Sequence, residues 1–437
     1  MFLSKLTWQA YSRFLARPIA GLERFSALNP AGQRQALAAR LLAQIRYFGS
    51  REDTLPEWRE AARVTRPEEL WEIWPSLPTV TKPMLNAHFE PVEMQRRFRL
   101  NGRLNATGGS TGEPTHFFLD TPMLRASRGA HLYSQLRMGW RPGMATIIVW
   151  GSDRDIGTQA GWFRQTAQYL YRHHMIPGFA IGDRSVAEIH EIIRTEAPVA
   201  IYGYSSLLEF VAERTLALGR QTAAGSVAVA WNGGEMLYDR QVQLFKRAFG
   251  VPILNRYGGR ELSATAFQEA EAAPLRMLRP WVFLEIVNDA GKPAAPGEIG
   301  RLLLTSTICR GTPFLRYDIG DLGAYAENDR DESGIRSIQT LHGRHSGSLR
   351  LDDGRTISCI YWNHLLKDYP EVAQFQVRVS REGRISLLLA GRGFSAARSE
   401  RLSATLRLLL RDQQVDLRWI ETIPRTAQGK LLQVVQE

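Results

Sequence analysis

The sequence predicts an α/β chain: a large N-terminal domain of helix-covered mixed and parallel sheets with a β-rich subdomain, then a small α+β C-terminal domain. Three observations predict it. Apolar strands and helices alternate from residue 145 to 256, the texture turns strand-rich at Trp281, and a separate set of strands and one helix follows Gly343. Alternation of the first kind is the signature of a parallel sheet covered by helices. The expected domains are 1–75 (helical), 76–343 (core, with the β-rich part at about 281–341) and 344–437.

Residues 1–75 are Ala/Leu/Arg-rich and helical in pattern, clearest over 31–48, until Pro75, Pro78 and Pro83 break it. The first twenty mix Phe2, Leu6, Trp8, Tyr11 and Phe14 with Lys5, Arg13 and Arg17. That pattern is an amphipathic helix packed on the body, or in weak peripheral contact with a membrane; it lacks the apolar core of a signal peptide. Next comes the polar run Asn105-Ala106-Thr107-Gly108-Gly109-Ser110-Thr111-Gly112-Glu113-Pro114-Thr115. Glycine-rich backbone can turn several amides toward one point, and hydroxyls beside them complete an anion cradle. No Gly-Lys-Ser/Thr follows, so it is not the P-loop of the common nucleotide hydrolases.

A helix is expected over 122–138 and a strand at Ala145–Trp150. His173-His174 reads as a loop or helix-end pair, not as metal ligands. Helices at 185–195, 205–218 (opened by Ser205 or Ser206) and 238–249 separate strands at 199–202, 227–231 and 252–256. Ligands of such sheets bind at the carboxyl ends of the strands. Two polar turns fall there, Asn232-Gly233-Gly234-Glu235 and Tyr257-Gly258-Gly259-Arg260-Glu261. Strands at 281–287, 298–307 and 316–325 form the β-rich part, the last carrying Asp318 and Asp321, with Asp318 expected to be structural. Beyond Gly343, strands at 375–379 and 385–389 flank a hairpin turn, a helix covers 396–411 and a strand 415–420; the last ordered feature is the loop Pro424-Arg425-Thr426-Ala427-Gln428-Gly429-Lys430.

Composition narrows the function. The net charge is +11 and the pI about 9.9, but the arginines are spread along the chain without interleaved aromatics, which argues against nucleic acid. No stretch is long and apolar enough to span a bilayer. Two distant cysteines, Cys309 and Cys359, make no disulfide framework and fit a cytoplasmic protein. Only six of the 55 basic residues are lysines, at 5, 82, 246, 292, 367 and 430, so a lysine in the final polar loop marks a need for a compact mobile charge.

Taken together, the turns resemble the adenylate-forming superfamily of acyl-CoA synthetases and carrier-protein adenylation domains, most of all its phenylacetate–coenzyme A ligase branch. The resemblance runs from about Trp71 to the C-terminus. It implies that Thr107, Gly108, Gly109, Ser110, Thr111 and Gly112 hold ATP phosphates. Gly234 and Glu235 would flank adenine, Arg256, Tyr257 and Gly258 would belong to the turn whose aromatic ring stacks on it, and Glu261 would hold magnesium. Asp321 and Arg344 would reach the ribose, Ser346 would be the hinge, and Lys430 the catalytic lysine. Glu113, Arg260 and Ser346 replace the usual lysine, hydroxyl and acidic hinge residues. The acyl pocket is expected between His131, Tyr202, Tyr204 and Trp231, whose rings suit a flat aromatic acid.

The activity so implied is ATP-dependent activation of a small-molecule carboxylic acid as acyl-adenylate, then transfer to a thiol of coenzyme A or of an acyl-carrier protein. Two other readings stay open: adenylyl transfer to a hydroxyl, and a degenerate, non-catalytic nucleotide-binding protein. The oligomeric state is not encoded legibly.

Overall fold

The computed structural model describes residues 16–51, 54–97, 99–106, 115–150, 171–178, 181–220, 222–327, 336–344, 349–350, 356–357, 362, 366, 369, 371–380, 382–410, 415–424, 432 and 434–436. The chain divides into a first unit running to Leu341 and a second beginning at His342, which also takes in Gly320–Leu322.

The first unit opens with a helix over residues 16–26 and then α1 (Pro30–Gly49). The Asn29 carboxamide oxygen accepts from the Gly32 amide at 2.8 Å, and Pro30 at the first helical position needs no hydrogen bond there. Leu37, Leu41, Ile45 and Phe48 recur at helical spacing and are buried. Short helical turns follow as far as Arg97. An antiparallel pair, β1 (Gly102–Ala106) and β2 (His116–Asp120), then flanks the glycine-rich run, whose residues 107–114 lie outside the described residues. Helix α2 (Thr121–Met138) begins on the Asp120 carboxylate, which accepts from the Met123 amide at 3.0 Å, and ends on left-handed Gly139.

The centre is a five-stranded sheet in the order β4-β3-β5-β6-β7, from β3 (Ala145–Trp150), β4 (His173–Pro177), β5 (Val199–Gly203), β6 (Val227–Asn232) and β7 (Ile253–Leu254). Every pairing in it is parallel. Helices α3 (Asp183–Glu196), α4 (Ser205–Ala217) and α5 (Asp239–Phe249) connect its strands. Side chains alternate between faces with a period of two. Ile147, Val149, Val199, Ile201 and Ala230 therefore pack with Leu208, Val211, Phe245 and Phe249 on one face. Ala200, Tyr202, Val229 and Trp231 turn to the other, against Ala130 and Tyr133 of α2. Leu22, from the helix over 16–26, is 1% exposed in that same cluster. The two helices approach closely because Gly129 has no side chain: a Cβ there would stand 2.4 Å from Pro18.

The chain then leaves the parallel sheet. β8 (Arg256–Gly259), β9 (Ser263–Phe267) and β10 (Arg276–Met277) form an antiparallel sheet. β11 (Val282–Val287), β12 (Ile299–Ser306), β13 (Tyr317–Tyr325) and β14 (Ile338–Arg344) form another in sequence order. Buried Arg316, just before β13, donates to the carbonyls of Pro75 and Leu77 and faces Glu285 of β11 at 3.4 Å. Asp318 pairs with Arg301 at 2.8 Å, a structural role. In the second unit β15 (Leu349–Arg350) pairs with β16 (Thr356–Ile357). A four-stranded sheet, β19-β18-β17-β20, comprises β17 (Val372–Val379), β18 (Ile385–Gly391), β19 (Val415–Trp419) and β20 (Val434–Gln436), with α6 (Ala396–Leu410) between its strands.

The α/β architecture is the expected one; four local expectations need correction. His173 and His174 open the edge strand β4 rather than a loop or helix end: β3 pairs with it, His174 meets Glu196 at 3.0 Å, and burial pushes the His173 imidazole down to about 4. The strand expected at 252–256 is split, because β7 stops at Leu254 and Arg256 starts the next sheet. Neither Ser205 nor Ser206 caps α4; no side chain of its N-cap residue, Tyr204, does so either. The chain does not end its ordered structure at the loop over 424–430, since β20 follows it, parallel to β17.

Candidate active site

The carboxyl edge of the parallel sheet gathers three segments of the first unit: Tyr202 to Ser206 at and after the end of β5, Asn232 to Glu235 at and after β6, and Asn255 to Glu261 after β7. One side chain joins them. Asn232 is fully buried; its amide nitrogen donates to the Ser205 hydroxyl at 2.9 Å and to the Glu235 carbonyl at 3.0 Å. Its oxygen accepts from the Arg256 amide at 3.0 Å. Both donors and the acceptor are thus used at a place where an unpaired polar group would be costly.

Glu235 faces α4. Its carboxylate accepts from the Ser206 amide at 2.9 Å, satisfying one orphan donor at a helix N-terminus. The turn between Asn232 and Glu235 can be this tight only with glycines. Gly234 has φ +77°, and a Cβ there would lie 2.7 Å from the Tyr204 ring. A Cβ on Gly233 would lie 2.8 Å from the Tyr202 hydroxyl oxygen.

Beside these glycines the rings form a continuous cluster. Tyr202 and Trp231 are register partners on β5 and β6, with centroids 5.8 Å apart and planes 21° apart. Trp150, the last residue of β3, lies 4.1 Å from Tyr204 and 5.0 Å from Tyr202. The Arg256 guanidinium sits over Tyr202 at 4.5 Å and is 6.0 Å from Trp231. Across from the sheet, His131 of α2 keeps some exposed surface, yet burial and then the charge of Arg256 push its imidazole down to about 3. It is a neutral group at physiological pH. His131, Tyr202, Tyr204 and Trp231 thus border one region, which also holds Arg256 and Trp150.

Past β8, Glu261 is 5% exposed. Among the described residues no donor is hydrogen-bonded to its carboxylate and no cation pairs with it. Space for that carboxylate depends on Gly259, where a Cβ would be 2.9 Å from it. Tyr257 and Gly258 precede it on β8, half-buried; a Cβ on Gly258 would strike the Ser263 carbonyl at 2.1 Å. Among the described residues no three His, Cys, Asp or Glu side chains cluster as a metal site. A buried carboxylate lacking a protein partner fits magnesium, which commonly takes one or two carboxylates and fills its sphere with phosphate oxygens and water.

Asp321 lies on β13 and is half-buried, directly after left-handed Gly320. Arg344 is the last residue of β14. Thr107, Gly108, Gly109, Ser110, Thr111, Gly112, Ser346 and Lys430 lie outside the described residues.

Two participants were not singled out from the sequence. Asn232 had a signal: a carboxamide ending a buried apolar strand, before two glycines, needs partners of its own. Trp150 had one too, as an aromatic closing a parallel strand beside the one that carries Tyr202.

In sequence, no protein-family model and no curated protein matches the chain. In structure it is similar to 2-hydroxyisobutyryl-CoA ligase in the postadenylation state in complex with 2-HIB-AMP, at 17% identity and TM-score 0.64, over 94% of this chain and 90% of that one. It is similar to ATP-bound MatB from Rhodopseudomonas palustris at 14% identity and TM-score 0.51, over 75% of this chain and 65% of that one. A structure from work on fatty acyl-adenylate ligases of E. coli and L. pneumophila gives 18% identity and TM-score 0.51, over 75% and 67%. The chain has the fold of the adenylate-forming ligases.

Proposed function

We propose that this chain activates a carboxylic acid with ATP as an acyl-adenylate and passes the acyl group to a thiol, that of coenzyme A or of a carrier protein. The observation that carries the reading is the convergence of three strand-end segments, tied by Asn232, on a ligase fold. Such a place, at the carboxyl ends of parallel strands, is where α/β sheets bind ligands.

In the first step a carboxylate oxygen attacks the α-phosphorus and pyrophosphate leaves. The acid is already ionised, so catalysis needs alignment and charge stabilisation rather than a protein base. Amides and hydroxyls of Thr107, Gly108, Gly109, Ser110, Thr111 and Gly112 hold the phosphates. Gly234, Glu235, Tyr257, Gly258 and the backbone of Arg256 shape the adenine side, and Asp321 and Arg344 take the ribose. A carboxylate suits that task because it is acceptor-only and can take two hydroxyls. Glu261 would hold magnesium, which supplies positive charge to the phosphate oxygens. Lys430 neutralises charge growing on the α-phosphate. In the second step the thiol sulfur attacks the acyl carbon and AMP leaves, after residues 344–437 turn about Ser346.

The neighbour with the higher TM-score is a CoA ligase crystallised with its acyl-adenylate, which supports coenzyme A as acceptor. The rings of Tyr202, Tyr204 and Trp231, with His131 opposite, support an aromatic acid, as in the phenylacetate–coenzyme A ligase branch.

ATP–pyrophosphate exchange over a panel of aryl, fatty and amino acids tests the reading. Exchange is expected with aryl acids and abolished in Lys430→Ala, while circular dichroism and melting stay those of the wild type. Undiminished exchange in that variant would refute the role of Lys430.

A further inference from the structure

The guanidinium of Arg256 has no evident use in holding the fold. Arg256 is 6% exposed, and its backbone amide, not its side chain, bonds Asn232. Among the described residues no carboxylate or carbonyl takes any of its five side-chain donors. Buried arginines are almost always paired. The Tyr202 ring attracts the cation at 4.5 Å, but such attraction uses none of its N–H donors.

Its surroundings say what would complete it. The group lies against Tyr202 and Trp231, each the penultimate residue of its strand, so it reaches back from the carboxyl edge, where the turns begin. Glu261 lies beyond that edge, five residues further along the chain. His131 is near enough to feel the charge of Arg256 and stays neutral beside it, able to give or take one hydrogen bond. A fixed planar fork of donors beside a neutral imidazole, between aromatic rings, matches a carboxylate better than any apolar acyl tail.

We infer that Arg256 is a specificity residue and that the acid carries a second carboxylate, held by Arg256 within the aromatic region while the first reacts at the phosphates. This rests on the acid-activating reading above. A monocarboxylic acid would leave the guanidinium without a carboxylate partner, so discrimination is expected, as it is wherever a site's polar group loses its partner.

The test uses the full chain and three matched pairs: benzoate and terephthalate, phenylacetate and 4-carboxyphenylacetate, butyrate and succinate. In ATP–pyrophosphate exchange at least one dicarboxylate is expected to exceed its partner in kcat/KM by roughly ten- to a hundredfold, the worth of a charge-assisted hydrogen bond. Arg256→Gln should bring that ratio near one, chiefly through KM, and Arg256→Lys should leave it intermediate. The inference is overturned if monocarboxylates match or surpass their partners in every pair, or if Arg256→Gln lowers both members of the favoured pair alike.

Calorimetric titration of the same dicarboxylates without ATP separates the two readings. Binding to the wild type that Arg256→Gln loses supports the inference even if exchange is absent. Exchange with monocarboxylates, and no dicarboxylate bound, sinks it while leaving acid activation standing.

Discussion

His131 lies on α2, and burial of its imidazole, then the nearby charge of Arg256, disfavour a second proton. The folded value, about 3, is below the ordinary 6.5. The unfolded chain therefore takes up the proton first as pH falls. The stabilisation is complete above 6.5 and is lost progressively toward 3. His131→Gln removes the titration while keeping a polar side chain. Between pH 7.5 and 5.0 the wild type should lose on the order of 2 kcal/mol relative to this variant, at 1.36 kcal/mol per unit below the ordinary value. Urea unfolding at the two pH values reads the difference, and a constant gap would show that the folded imidazole titrates normally.

At the scale of elements, the candidate site depends on how strand ends are tied. Asn232 joins β6 to the start of α4 and to β8 through three hydrogen bonds of 2.9 to 3.0 Å. Asn232→Ala strips partners from the Ser205 hydroxyl, the Glu235 carbonyl and the Arg256 amide together. At about 1 kcal/mol for each bond, the variant should unfold about 3 kcal/mol more easily. Its activity should fall further than that loss alone would cause, because three segments lose register. Equilibrium urea unfolding with exchange assays on the still-folded fraction checks both, and a loss under about 0.5 kcal/mol would mean that water replaces the amide.

Most of this scale was legible. Apolar runs of five or six residues ending in glycine-rich polar turns announced a parallel sheet with its turns on one edge, because burial on both faces demands continuous apolar strands. Three things were hidden for physical reasons. The break at Asn255 has no glycine or proline to mark it, and a single residue separates Leu254 of one sheet from Arg256 of the next. The edge strand β4 is only partly buried, so its two histidines carry no strand pattern. The start of α4 is held by Glu235, 29 residues beyond Ser206 in sequence, whereas local capping rules search only nearby residues. Arg256 shows the same limit at finer grain: nothing in its motif tells that its guanidinium lies against Tyr202 and Trp231.

The proposed function also predicts a property of the whole molecule. A ligand that binds only the folded form stabilises it by about 2.7 kcal/mol when present at a hundred times its Kd. Magnesium and ATP together should therefore raise the melting temperature by a few degrees. Glu261→Gln should lose most of that rise while melting near the wild type in buffer alone. Calorimetric melting with ATP, with and without magnesium, measures this, and an unmoved transition in the wild type would count against nucleotide binding.

The helix over residues 16–26 precedes the turns that carry the motif resemblance, yet Leu22 packs in the cluster that contains Trp231, and Pro18 rests on Gly129 of the helix that bears His131. The acyl pocket proposed above would thus have a rear wall contributed by a part of the polypeptide outside every shared motif. Descendants of a duplicated gene could drift in those few positions, shift two aromatic rings and a histidine by fractions of an ångström, and part company in diet without altering any lining residue.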